Sequence, residues 1–215
     1  MEQAPTSTID TGIASLPKII SDVKALKVQC EPVATKEEGE EIAKILFQVL
    51  NETKGAGLSA PQIGINKRVF VVNTRKPLYF INPQIDNQEG SIAYVEGCLS
   101  FPTFYVRTRR FSSFKITDWN NEGGLLYDVS EVPQEGILEN QEVFEMVAIQ
   151  HEYDHLSGIL MFDREFKGEP VKVEKTIGRN DWVNITDGKD TFKVKYKKAE
   201  ENIRRQKWFI VEEKR

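Results

Sequence analysis

The chain holds only two histidines, His151 and His155, set four apart in Gln150-His151-Glu152-Tyr153-Asp154-His155. On a helix, residues i and i+4 share a face, with about 5–6 Å between their Cβ atoms. Two imidazoles so placed can grip one transition metal, and the glutamate after the first can act on a water held there. This HExxH pattern predicts a metal-dependent hydrolase, with His151 and His155 as ligands and Glu152 as the catalytic base.

Two histidines leave such a site short, because a catalytic ion of this kind takes three protein ligands and keeps one position open. The chain offers no third histidine. Downstream carboxylates are one source of a third ligand: Asp163, Glu165, Glu169 or Glu174, as in zincin-type endopeptidases. The other source is Cys98, a soft ligand in Glu96-Gly97-Cys98-Leu99-Ser100. Glycine before the cysteine permits close backbone approach. Cys30 stands in no such pattern and reads as structural.

Elements that could position these residues follow from periodicity. Thr35-Lys36-Glu37-Glu38 is a capping box, and Ile42, Ile45, Leu46 and Val49 follow at helical spacing, predicting a helix over 36–53. Gly55 and Gly57 then supply a left-handed stop. Arg68–Asn73 and Leu78–Pro83 read as strands. Ser91–Glu96 reads as a third, and Tyr105–Trp119 as a loosely alternating stretch. Asn120–Gly124 is a turn, with Leu125–Val129 returning as hairpin partner. Gly136–Ser157 is a second helix that carries the histidines near its end, with Gly158 as stop. Strands run together before this helix instead of alternating with helices, so the fold class is α+β.

Bulk properties set bounds. With 215 residues, 40% hydrophobic and 29% charged, the chain fits one large soluble domain with an appendage. No apolar run is long enough to span a bilayer, and the acidic start does not resemble a secretory signal. Two cysteines make no disulfide framework, which suits a reducing compartment such as the cytoplasm. Charge is uneven: residues 171–215 hold 13 basic and 8 acidic side chains, although the whole chain carries −4. The expected organisation is a loose segment over 1–16, a catalytic domain over 17–168, and a small basic extension over 169–215.

Three segments together resemble the peptide deformylases, in that family's order. They are Gly55-Ala56-Gly57-Leu58-Ser59-Ala60-Pro61-Gln62-Ile63-Gly64, then Glu96-Gly97-Cys98-Leu99-Ser100, then Gln150-His151-Glu152-Tyr153-Asp154-His155. The resemblance covers about residues 17–166. It implies a deformylase-like fold, antiparallel and mixed sheets around a central metal-binding helix. It implies Cys98, His151 and His155 as ligands of one divalent metal per chain. Fe²⁺ would be the physiological ion, with Zn²⁺, Ni²⁺ or Co²⁺ able to replace it. It implies removal of the formyl group from N-formylmethionyl nascent peptides, with release of formate. Glu152 would move the proton, and the Gln62 amide and Leu99 N–H would stabilise the oxyanion.

The substrate would run as an added strand along Gly55, Ala56, Gly57 and Gly97. Phe144, Val147 and Ala148 lie seven, four and three residues before His151 and share its helix face, so they would line the methionine pocket, with Ala56 and the stem of Glu96. Two departures concern the peptide side. Ala56 stands where the family commonly has a larger aliphatic residue. The arginine that the family often carries near Tyr105 is missing, and Arg107, Arg109 and Arg110 come later. Asp154 would either orient a ligand histidine or be solvated.

Alternation over Thr191–Tyr196 predicts a hairpin in the basic extension, with a short helix over Ala199–Lys207 and a closing strand over Trp208–Val211. Its glycine and lysine spacing faintly resembles the SEC-C metal-binding tail, but the segment has no cysteine, so zinc is not expected there. The partners expected are formylated peptides and, through the basic end, the ribosome; no membrane and no specific DNA. The rival readings are a zincin-type endopeptidase and an inactive relative that binds formyl-peptides or ribosomes. The site of action would be the cytoplasm, that of a host cell if the gene is viral.

Overall fold

The computed structural model describes residues 16–132, 137–166, 182–186, 190–199 and 209–210. The segment expected to be loose, 1–15, lies outside them. The chain divides into two compact units, residues 1–168 and 169–215.

In the first unit, a short helix α1 (Val23–Leu26) precedes α2 (Lys36–Thr53). Thr35 caps α2 by accepting from Glu38 N at 3.2 Å. Its left-handed end falls on Lys54, φ 56°, not on the glycine that follows. Ile42, Ala43, Leu46, Val49 and Leu50 form the buried stripe of α2. They pack on one face of the sheet β1–β2–β3 (Gly57–Ser59, Val69–Asn73, Pro77–Ile81), against Leu58, Val69, Val71 and Ile81.

The opposite face of that sheet buries Phe70, Val72 and Phe80 against α3 (Gln141–His155). Strand β2 is therefore covered on both sides, which explains its unbroken apolar run Val69-Phe70-Val71-Val72. Two further layers of strand close around α3. The sheet β4–β7–β8 (Gln84–Glu89, Ser113–Asp118, Asn121–Asp128) supplies Phe114, Ile116 and Tyr127. The pair β5–β6 (Ile92–Cys98, Phe101–Arg110) supplies Ile92 and Tyr94. With buried residues on every side, α3 is a central helix. Each fully buried Val, Leu, Ile, Phe or Met in this core contributes about 1.5–3 kcal/mol.

The structure is α+β, with antiparallel sheets around the helix that bears both histidines. It adjusts several boundaries read from sequence. The stretch 105–119 is two strands, because the chain turns at Phe111-Ser112, where Gln150 of α3 exchanges two hydrogen bonds with the Phe111 backbone. Strand β4, mostly exposed and polar, has no apolar alternation to announce it. Helix α3 starts at Gln141, where Asn140 caps it by accepting from Glu142 N and Val143 N; Gly136 lies outside the described residues. Gly158 takes φ +66°, and a Cβ there would meet Val28 N at 2.8 Å, so both torsion and space call for glycine.

In the second unit, β9 (Trp182–Thr186) pairs antiparallel with β10 (Thr191–Lys195) and with β11 (Phe209–Ile210). Residues 196–199 are helical, and the rest of the helix expected over 199–207 lies outside the described residues. No described helix is long and apolar enough to cross a membrane.

Candidate metal and catalytic site

Cys98 ends β5, where the register against β6 shifts between Gly97 and Cys98. Alternation along β5 puts Cys98 on the same buried face as Ile92, Tyr94 and Glu96. His151 and His155 lie one turn apart on the helix, their ring centroids 5.0 Å apart. Ligand atoms of Cys98, His151 and His155 all lie within 4.8 Å of one another, and all three residues are buried. Cys98 Sγ is 3.4 Å from His155 Nε2. One sulfur and two imidazole nitrogens facing a common point match what a divalent transition metal takes.

The two described carboxylates among the alternative third ligands are engaged elsewhere. Asp163 pairs with Lys27 at 2.8 Å and accepts from Leu160 N. Glu165 sits in an isolated bridge with Thr108. Glu169 and Glu174 lie outside the described residues. Among the described residues, the site lacks a zincin's carboxylate ligand and has a cysteine in its place.

Each ring has a distinct setting. His151 donates from Nδ1 to Glu96 Oε2 at 2.8 Å, which leaves Nε2 for the common point. Burial opposes a proton on His151, but hydrogen bonds to Cys98 and Glu96 outweigh it and hold its pKa well above the ordinary value. For His155, burial and the neighbouring His151 charge push the pKa well below ordinary. His155 Nδ1 is buried with no hydrogen-bond partner.

Glu152 is buried beside them, and its Oε2 has no partner. Burial pushes its carboxyl up to about 7, a value suited to taking and giving a proton near neutrality. Gly57 makes room for it: a Cβ on residue 57 would lie 2.7 Å from Glu152 Oε1.

Gln62 is fixed at both ends of its amide. Oε1 accepts from Ser59 N at 2.9 Å and Ser59 Oγ at 2.8 Å. That orients Nε2 toward Ser100 Oγ, at 3.2 Å, and Cys98 Sγ, at 3.5 Å. The amide N–H therefore points at the sulfur. The short helix Ala60–Ile63 carries Gln62 there, with Pro61 in its first turn.

A cavity of about 340 Å³ opens beside this cluster. Gly55, Ala56, Gly57, Glu96, Gly97, Leu99, Phe144, Val147 and Ala148 all line it, as do Cys98, His151 and Glu152. Sequence reasoning did not assign Tyr94, Val95, Pro102, Phe104 and Tyr105 to the pocket, yet they line it too. Tyr105, 74% exposed, occupies the region where an arginine was looked for, and its ring lies close over Gly97.

The support behind His151 was also missed. Glu96 lines the cavity, but its carboxylate is spent on a buried network. Arg110 donates to both its oxygens, Nε to Oε1 at 2.6 Å and Nη2 to Oε2 at 2.7 Å, and Thr108 Oγ1 donates to Oε1. Burial alone would raise the Glu96 pKa, yet Arg110 and His151 hold it well below the usual carboxylate range. Asp154 is neither solvated nor bonded to a histidine: it pairs with Arg110 at 2.5 Å and Arg164 at 2.7 Å. Strand parity offered a signal, since Val106, Thr108 and Arg110 share the inward face of β6.

Comparison with known proteins agrees with this geometry. The profile of the polypeptide deformylase family matches residues 17–170. The peptide deformylase of Aquifex aeolicus is 37% identical over 134 residues, 59% of this chain and 73% of that protein. The peptide deformylase of Pseudothermotoga lettingae is 34% identical over 152 residues, 66% of this chain and 82% of that protein. Among solved structures, the peptide deformylase of Thermotoga maritima superposes with a TM-score of 0.56 at 28% identity, covering 70% of this chain and 96% of its own. A probable peptide deformylase from the Synechococcus phage S-SSM7 gives 0.54 at 31% identity, covering 69% and 97%. The metal-ligand cluster, the buried glutamate beside it and these matches over one continuous region place the chain in the peptide deformylase family.

Proposed function

We propose that this chain removes the formyl group from N-formylmethionyl nascent peptides and releases formate, with Cys98, His151 and His155 holding one divalent metal. The observation that carries the reading is the convergence of one sulfur and two imidazoles beside a buried, unpartnered glutamate oxygen. When bound, the ion supplies Lewis acidity, polarising the formyl oxygen and bringing the pKa of a water toward neutrality. The remaining chemistry belongs to the chain. Glu152 takes the proton of the attacking water and delivers it to the departing amine nitrogen. Gln62 Nε2 and the Leu99 N–H donate to the developing oxyanion, and the Ser59 contacts pre-orient the former.

The methionine side chain packs in the cavity against Phe144, Val147 and Ala148. The peptide beyond it extends along the backbones of Gly55, Ala56, Gly57 and Gly97, which line the cavity with little side-chain bulk. The aromatic wall of Phe104 and Tyr105 replaces arginine contacts. Ferrous iron is the native ion in this reading, and Zn²⁺, Ni²⁺ or Co²⁺ can substitute; a thiolate–imidazole set accepts all of them. The reaction takes place in the cytoplasm, and the basic unit 169–215 brings the enzyme to the ribosome. Deleting 171–215 then abolishes salt-sensitive co-sedimentation with ribosomes, whereas unchanged co-sedimentation removes that contact.

The test of the activity is release of formate from a formyl-Met-Ala-Ser peptide by anaerobically purified, iron-loaded protein. Formate release with no internal peptide cleavage is expected. Cleavage inside a longer peptide, with the formyl group retained, overturns the reading.

A further inference from the structure

In the unit 169–215, strands β9 and β10 place Trp182 opposite Lys195 and Asn184 opposite Lys193. Alternation sorts the side chains onto two faces. On one, Val183 and Ile185 are buried with Ala199, and Phe192, Val194 and Tyr196 pack against them. The other presents Trp182, Lys193 and Lys195, and Lys197 and Lys198 follow at once in the chain. Trp182 is 61% exposed, an unusual placement for the largest apolar side chain. Lys195 Nζ lies 5.8 Å from its ring centroid. Trp182 and these four lysines line a shallow concavity of about 380 Å³.

We propose that this face of the β9–β10 ribbon binds single-stranded RNA, with an unpaired base stacking on Trp182 and phosphates meeting Lys193, Lys195, Lys197 and Lys198. Lysines alone would suit any polyanion. An exposed tryptophan alone would suit any apolar partner. The two interleaved suit a single strand, because every unpaired base has a flat face and the backbone beside it carries the charge. Lys193 and Lys195 stand about 6.4–6.8 Å apart along the strand, a spacing that can follow a phosphate chain. A duplex keeps its bases stacked and has none to offer Trp182, and a membrane surface has charge but no base. The choice of RNA over DNA rests on the proposed function, since a nascent-peptide substrate emerges where RNA is the dominant polyanion.

The experiment is fluorescence anisotropy of an unstructured, labelled oligoribonucleotide of about 12 nucleotides, titrated with the full-length, metal-loaded protein at several salt concentrations. Trp182→Ala should weaken binding about tenfold or more, and Trp182→Phe should recover most of it. Replacing Lys195, Lys197 and Lys198 by Gln should each reduce the slope of log affinity against log salt by about 0.7. Formate release from a free formyl-Met peptide should stay at the wild-type rate in every variant. The proposal is overturned by absence of RNA binding, or by Trp182→Ala binding like wild type while the lysine variants lose affinity. It is also overturned by equal affinity for duplex RNA, or by tighter binding to anionic lipid vesicles. Formate release is read separately, so failure of RNA binding leaves the hydrolase reading standing, and the reverse.

Discussion

Glu96 Oε2 accepts from His151 Nδ1 at 2.8 Å, while Arg110 grips the same carboxylate from behind. The bond fixes which His151 nitrogen faces Cys98. It also ties β5 to α3, the two elements that must meet for the ligands to converge. Glu96→Gln keeps the shape but loses the charge that favours a donating Nδ1–H. It should weaken metal retention about 10–100-fold, read by competition with a chromogenic chelator. Glu96→Ala should cost more, about 3–5 kcal/mol of stability in denaturant unfolding, because Arg110 is then buried without its main partner. Metal retention unchanged in both variants would remove the positioning role.

Gly57→Ala tests the space left for Glu152. The added Cβ would sit 2.7 Å from Oε1, closer than side chains tolerate, so the carboxylate must turn away. The expected result is a fall in kcat of at least about tenfold, with metal content intact and no loss of thermal stability comparable to a core cavity. An equal loss of metal would mean that the glycine serves the ligands and not the base.

Glu152→Gln retains volume and removes the proton acceptor. Formate release should fall by about 10²–10⁴-fold while the metal stays bound. Glu152 Oε2 has no hydrogen-bond partner and Gln can keep the contact with Ser59, so unfolding should be nearly unchanged. Activity within tenfold of wild type would transfer the proton step to another group.

Gln62→Ala should lower kcat by about 10²–10³-fold, the usual loss for one oxyanion donor, with little change in KM. Gln62→Glu is the sharper variant. The two Ser59 donors would still hold one carboxyl oxygen, but the other would present a lone pair where the amide offers N–H. An active Gln62→Glu enzyme would contradict the donor role.

The chemistry-bearing residues were legible because a metal site needs particular atoms, and the chain has few of them: two histidines and two cysteines. Helix α3 was legible too, since its apolar period leads directly into His151. The strand boundaries around Phe111 were not, because what ends β6 is a pair of long-range hydrogen bonds from Gln150. Glu96 read as a pocket stem, and only pairing of β5 with β6 reveals that its carboxylate meets Arg110. Asp154 depends on Arg164, ten residues on and past the helix end, a contact that no local pattern signals. Lys54 as the left-handed end of α2 shows the same limit: a glycine stood next to it, but the helix stopped one residue earlier.

The central claim is that residue 98 supplies the third ligand and that the activity depends on it. Cys98→Ala should be measured for bound metal by elemental analysis and for formate release from a formyl-Met peptide, alongside wild type reconstituted with ferrous iron. The expected result is a folded protein, with α3 intact by circular dichroism, that has lost most of its metal and essentially all formate release. A Cys98→Ala protein that keeps a full equivalent of metal and deformylates at the wild-type rate would contradict the account, because the sulfur in contact with His155 would then have no part in the reaction.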